Sequence, residues 1–414
     1  MASSNPDWTE LAERNERLAA PADARPGATS AAPAPAAIPA RARAGWRLRS
    51  RKATATAASA ALALAGATLA SAWFAVGAAE ASPHAVPAAA SWKIVKTVHG
   101  TGAPAFTAVT ASGPGSAWAF EASTFASGKP TAWRLAGSSW TEVSFPGSSQ
   151  VVAAGSSSAA NVWAIMSNGT RSHAVRWNGS RWAAAGSIPA NIDDVVVLSS
   201  SNVWAFSEPF SPGHVGTWHY NGHAWRHLAS GHGLSGGSAL SAHSIWAFGS
   251  TSVAHWNGHG WSRTSVASLL PANTMLSHSS LTGIYAQSSK SVWAVGTGGR
   301  QDEGGPAVVL HFNGTHWSRV AQDTVSTPGL AQVIPDGSGG LWIPVPSTDG
   351  IPFTMLRYSG GHLRAVALPR SGRTLNVTAV AAIPHTARAL GAGATHQKDQ
   401  FGKHQSAVIL EFRN

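Results

Sequence analysis

From Ser91 onward the chain repeats one short hydrophobic pattern, apolar-Trp-Ala-apolar, around Trp118, Trp163, Trp204, Trp246, Trp293 and Trp342. A degenerate seventh copy reads Arg388-Ala389-Leu390-Gly391, and successive copies lie 41 to 49 residues apart. Each copy is followed by aromatic-Asn-Gly-x-x-Trp, as in RWNGSRW (176–182), HYNGHAW (219–225), HWNGHGW (255–261) and HFNGTHW (311–317). Weaker versions are RLAGSSW (134–140) and RYSGGHL (357–363). Asn-Gly between two apolar runs signals a tight hairpin, here expected as a type I′ turn with both residues at positive φ. A further short apolar run precedes each Trp strand, as at Val151–Gly155 and Thr378–Ile383, with small residues such as Ala153 and Ala379 suited to a crowded axis. The unit is four antiparallel strands in about 45 residues, the size of one propeller blade.

The ends decide closure. The chain stops after a third strand (Leu410–Asn414), and a fourth-strand segment, Ser91-Trp92-Lys93-Ile94-Val95, stands at the other end of the repeats. A ring that joins its first and last segments in one blade needs this split. The expected fold is all-β: a seven-bladed β-propeller over 91–414, its last blade completed by the N-terminal strand. Fourteen of the 16 Trp after residue 90 fall in three repeating slots, so they read as blade-to-blade packing rather than as a ligand box. The basic residues before the aromatic slot (Arg134, Arg176, His219, His255, His311, Arg357) recur for the same geometric reason and read as caps on the blade surface.

The first 90 residues have a different character. Residues 1–52 read as a disordered cytoplasmic region, Ala/Pro-rich over 20–45, ending in the basic cluster Arg41, Arg43, Arg47, Arg49, Arg51 and Lys52. No residue from Ala53 to Ala79 is charged, a run long enough to cross a bilayer as a helix. The preceding cations place the N-terminus in the cytoplasm and the rest outside. Two readings fit 53–79, an uncleaved signal anchor (single-pass cell membrane) or a signal peptide of a secreted protein. Residues 80–90 form a linker, and 4–18 read as a short amphipathic segment.

Composition removes several function classes. There is no cysteine, which excludes disulfides, thiolate metal sites and thiol nucleophiles. The net charge of +11 is spread along the chain, with no basic stripe after residue 81, so no nucleic-acid partner is expected. P-loop, His-Glu-x-x-His and Gly-x-Ser-x-Gly patterns are missing, and neither a catalytic residue nor a cofactor or metal is expected.

Loop lengths point to a binding face. The interval from the Trp strand to the aromatic slot varies from 10 to 24 residues, whereas the hairpin turns and first-to-second-strand turns are read as short throughout. Variable loops on a rigid scaffold are where binding concentrates. The candidate ligand-binding residues there are Glu208, His214, Arg300, Asp302, Glu303, Asp349, His396, Lys398, Asp399, Lys403 and His404.

The Val-Trp-Ala-Val-Gly and His-Trp-Asn-Gly-x-x-Trp patterns together resemble exported actinobacterial propeller repeats. They are also similar to tectonin-type repeats, whose family includes sugar-binding lectins, and more loosely to the Asp-box repeats of sialidases. No Ser-x-Asp-x-Gly-x-Thr-Trp box is present, so the sialidase likeness carries no activity. With the outward placement read from the N-terminal segment and no catalytic motif, the expected function is an extracytoplasmic binding or scaffold propeller for a protein or glycan partner at the cell surface. The alternatives are a polysaccharide-acting hydrolase or lyase and a transmembrane sensor.

Overall fold

The computed structural model describes residues 91–413, except 101–102, 124–128, 148, 208–215, 274–277, 299–304, 328–331, 346–352, 370–371 and 398–404. The cytoplasmic region expected over 1–52, the anchor or signal segment over 53–79 and the linker over 80–90 therefore lie outside the described residues. Among those described, no helix is long and apolar enough to cross a membrane, and the only helical turns are Ala229–Gly231 and Ala267–Leu269.

The rest is β-structure in seven four-stranded antiparallel sheets, the blades of a propeller. In chain order their inner strands are Pro104–Gly113, Val151–Ser158, Ile192–Ser199, Gly236–Ser241, Ser280–Ser288, Ile334–Pro335 and Thr374–Ala382. Blades 1 to 6 are each built from consecutive strands; blade 7 combines Thr374–Ala382, Ala389–His396 and Ser406–Arg413 with the N-terminal strand Ser91–His99. In that last pairing Trp92 stands opposite Phe412, just as Trp182 stands opposite Trp177 in blade 2.

In blades 1 to 6 the second-strand Trp packs one side against the hairpin aromatics of the next blade. Trp118 of blade 1 meets Trp177 and Trp182 of blade 2; Trp163 meets Tyr220 and Trp225 of blade 3; Trp204 meets Trp256 and Trp261 of blade 4. Trp246 meets Phe312 and Trp317 of blade 5, Trp293 meets Tyr358 of blade 6, and Trp342 meets Phe412 and Trp92 of blade 7. Ring centroids lie 4.7 to 6.1 Å apart at tilted or edge-on angles, the arrangement the aromatic quadrupole favours.

The other face of several of these indoles is covered by the basic slot of the same blade. His255 stacks on Trp246 at 4.3 Å, His311 on Trp293 at 4.0 Å, and Arg357 lies over Trp342 at 5.2 Å. Burial lowers the pKa of His219, His255 and His311, which keeps the rings neutral against their indoles. Each histidine also reaches an oxygen at the start of the second strand: Asn202 Oδ1, Ser244 Oγ and Ser291 Oγ respectively, all at 3.0 Å.

Three sequence expectations change. The degenerate seventh copy places Arg388 in the Trp slot by spacing, but strand register puts Leu390 there: Leu390 pairs with Glu411 as Trp163 pairs with Arg176. The Asn-Gly hairpins are not type I′ turns. They are four-residue loops in which only the glycine has positive φ (Gly258, +96°), and Asn257 Oδ1 accepts from the backbone N–H groups of His259 and Gly260, each at 3.0 Å. Two consecutive positive φ values occur instead at Gly360 and Gly361 in blade 6. Finally, the first-to-second-strand turns are not uniformly short. In blades 6 and 7 they run over 336–340 and 383–388, against the two-residue turn between Ser158 and Asn161 in blade 2.

Replacing the fully buried Trp163 by Ala opens a cavity at the blade 2–3 seam and is expected to cost about 3–5 kcal/mol. Asn257→Ala, which strips two turn N–H groups of their acceptor at an exposed site, is expected to cost about 1 kcal/mol. Denaturant unfolding of the two variants checks both values and their order.

Candidate functional site at the channel mouth

The inner strands of all seven blades converge on one concavity of about 470 Å³ at the end where those strands begin. Its wall is built from equivalent positions, such as Ala108, Ala153, Asp194, Gly283 and Ala379. Small side chains leave the space open, as expected for Ala153 and Ala379 near the axis.

Five of the inner strands share a β-bulge at the same point. Thr107, Val152, Asp193, Thr282 and Thr378 are each the extra residue between two that pair with the second strand. A bulge bends its strand and re-aims the extra side chain. The two bulge threonines on either side of the closing seam use this to grip the next blade. Thr378 Oγ1 donates to Phe106 O at 2.6 Å and Thr107 Oγ1 donates to Val151 O at 2.8 Å. Three other seams are bridged in the opposite sense. Asp194 Oδ2 accepts from Gly237 N at 2.9 Å, Ser238 Oγ from Ala286 N at 3.0 Å, and Gln332 Oε1 from Val380 N at 3.2 Å. At the blade 5–6 seam, Thr282 Oγ1 is buried and has no hydrogen-bond partner among the described residues.

Asp193 and Asp194 are the only carboxylates lining this concavity among the described residues. Asp193 is exposed, while the Asp194 carboxyl is closely surrounded by protein. Burial pushes the Asp194 pKa up to about 6, against the opposing pull of the Gly237 and Val195 N–H groups. The two carboxylates are neighbours on one strand and do not oppose each other across a cleft, as glycoside hydrolysis requires.

Of the loop residues singled out from sequence, only His396 is described. It ends the second strand of blade 7, pairs with Thr374 and places Nδ1 3.0 Å from Gln397 O. Glu208, His214, Arg300, Asp302, Glu303, Asp349, Lys398, Asp399, Lys403 and His404 lie outside the described residues. No group of three His, Asp or Glu among the described residues is arranged to hold a metal. The bulge residues were missed by sequence reasoning, yet a signal exists: apolar-x-small recurs as Phe106-Thr107-Ala108, Val151-Val152-Ala153, Leu281-Thr282-Gly283 and Val377-Thr378-Ala379.

No family model and no curated protein matches the chain. Solved structures do. YCF48 bound to D1 peptide is 12% identical over 78% of this chain and 96% of that one, with a TM-score of 0.50. U3-55K and the RRP9 WD40 repeats are each 10% identical over 78% of this chain and 98% of theirs, with a TM-score of 0.53. The likeness is one of fold. At these identities it establishes a β-propeller and nothing about what the channel mouth holds.

The raised Asp194 pKa has a signed consequence. Between the ordinary carboxylate value of about 4 and about 6, the folded state keeps a proton that the unfolded chain has lost, so this group's contribution falls as pH rises through that window. Asp194→Asn is expected to remove that slope, on the order of 1–3 kcal/mol across the window. Melting temperatures of both proteins from pH 3.5 to 7 test it: a flat difference curve would show that the Asp194 carboxyl is not held protonated.

Proposed function

We propose that this chain is an extracytoplasmic binding propeller that holds a protein partner at the face where its inner strands begin. The observation that carries the reading is the channel mouth, a concave rim to which all seven blades contribute and which hydrogen bonds across the seams hold in place. A preformed rim of this kind costs little ordering on binding. The second strands end at this same face, and the sequence places its loops of variable length after them. The outward placement rests on the basic cluster before the uncharged run 53–79. Propellers of this fold include one solved with a peptide, YCF48 with D1 peptide, which is consistent with a protein partner. A glycan partner at the same face is the second reading, supported by the resemblance to tectonin-type repeats.

A photo-crosslinking residue placed at Val152 in the full-length chain is expected to give discrete protein adducts in intact cells. The same residue at Ala160, in the turn between the first and second strands of blade 2, is expected to give none. External protease should reach the propeller in those cells. Adducts confined to Ala160, or a propeller that external protease cannot reach, would overturn the proposal. Saturable binding of a cell-wall glycan with no protein adduct at Val152 would replace it with the glycan reading.

A further inference from the structure

Six seams of the ring carry a second-strand indole against the next blade's hairpin; the seam from blade 7 to blade 1 does not. There Leu390 holds the Trp slot, and Leu135 holds the aromatic slot opposite Trp140. Leu390 and Leu135 are buried in one apolar cluster, against which the partly exposed Val95 and Trp140 pack. A cavity of about 640 Å³ remains at this point, lined by Val95, Leu135, Trp140 and Leu390 and bounded by a charged cluster.

That cluster is also specific to this seam. Glu411 takes the position occupied by Arg or His in the other blades, as its pairing with Leu390 shows. Arg388 Nε donates to Glu411 Oε1 at 2.6 Å and Arg413 Nε donates to Oε2 at 2.8 Å. The carboxylate is 5% exposed, whereas the arginine side chains are 37% and 56% exposed. Two guanidinium groups on one carboxylate leave a net charge of +1 beside the cavity, and the exposed part of the cluster is the cationic part.

We propose that this seam is a binding site for a planar aromatic ring that carries a carboxylate. The ring lies in this cavity against Trp140 and Val95, the partly exposed members of the cluster, at the one seam where the repeat supplies no indole. Its carboxylate meets the exposed sides of Arg388 and Arg413, in the charge-assisted geometry guanidinium favours. Pocket size fits the class, since sites for small organic ligands run from about 300 to 1,000 Å³. Cations are excluded by the arginine pair, and an aliphatic acid lacks the flat face that stacks on Trp140.

The test is calorimetric titration of the full-length protein with indole-3-acetate, indole and tryptamine. Saturable binding is expected for indole-3-acetate, about tenfold weaker binding for indole, and none for tryptamine. Leu390→Trp fills the slot and should abolish binding while raising the melting temperature. Arg413→Ala removes the more exposed guanidinium, leaves the Arg388–Glu411 pair in place, and should bring the affinity for indole-3-acetate down to that for indole. It decides the matter by itself if Leu390→Trp does not fold. Gly-Gly-Trp against its C-terminal amide separates sources. A free-acid peptide that binds more tightly than indole-3-acetate assigns a peptide C-terminus, and a weaker one assigns a free aryl acid. Absence of saturable binding, equal affinity for tryptamine, or undiminished binding in Arg413→Ala would overturn the proposal without touching the channel mouth.

Discussion

One contact holds the ring together: the indole of a second strand lodged against the hairpin aromatics of the next blade. Each blade alone is a small twisted sheet with two apolar faces, and it becomes stable only when both are covered. The indole supplies a large buried area, and its tilt against two further rings fixes the angle between neighbouring sheets. The histidine on the same indole, for example His255 on the buried Trp246, covers it without a full charge having to be buried. Hairpin geometry serves the same contact. The Asn side chain that closes each four-residue loop sets the two slot residues opposite each other, as with Trp256 and Trp261.

A second layer of bonds works nearer the axis. Bulges on the inner strands turn threonines toward the next blade, and Asp194, Ser238 and Gln332 answer from the other side with acceptors for backbone N–H groups. Thr107, Thr378, Asp194 and Gln332 also line the concavity, so the candidate site and the scaffold share residues. Asp194 shows the cost: a carboxylate used as a seam acceptor sits where burial works against its charge.

Much of this was legible in the chain itself because the structure repeats. A period in the forties, three Trp slots and a split last blade carry the architecture, since every blade must present the same surfaces to its neighbours. The site was far less legible. Residues chosen for charge on variable loops fall almost wholly outside the described structure, with His396 the exception. The groups that line the channel, such as Thr107, Thr282 and Thr378, are individually unremarkable threonines in apolar runs. Nothing in composition separates a bulge residue from its neighbours; register does.

The amino-acid sequence by itself determined the number of blades, the strand count of each and the slots that pack, because periodic hydrophobic burial leaves a periodic trace. Tertiary structure alone decided which partner each slot meets. It moved the seventh Trp slot from Arg388 to Leu390, set that leucine against Leu135, and opened a cavity between Trp140 and the Glu411 arginine pair. The physical reason is that strand register and blade-to-blade contact join residues far apart in the chain. Spacing along the sequence cannot count a two-residue difference in turn length, but hydrogen-bonded pairing does.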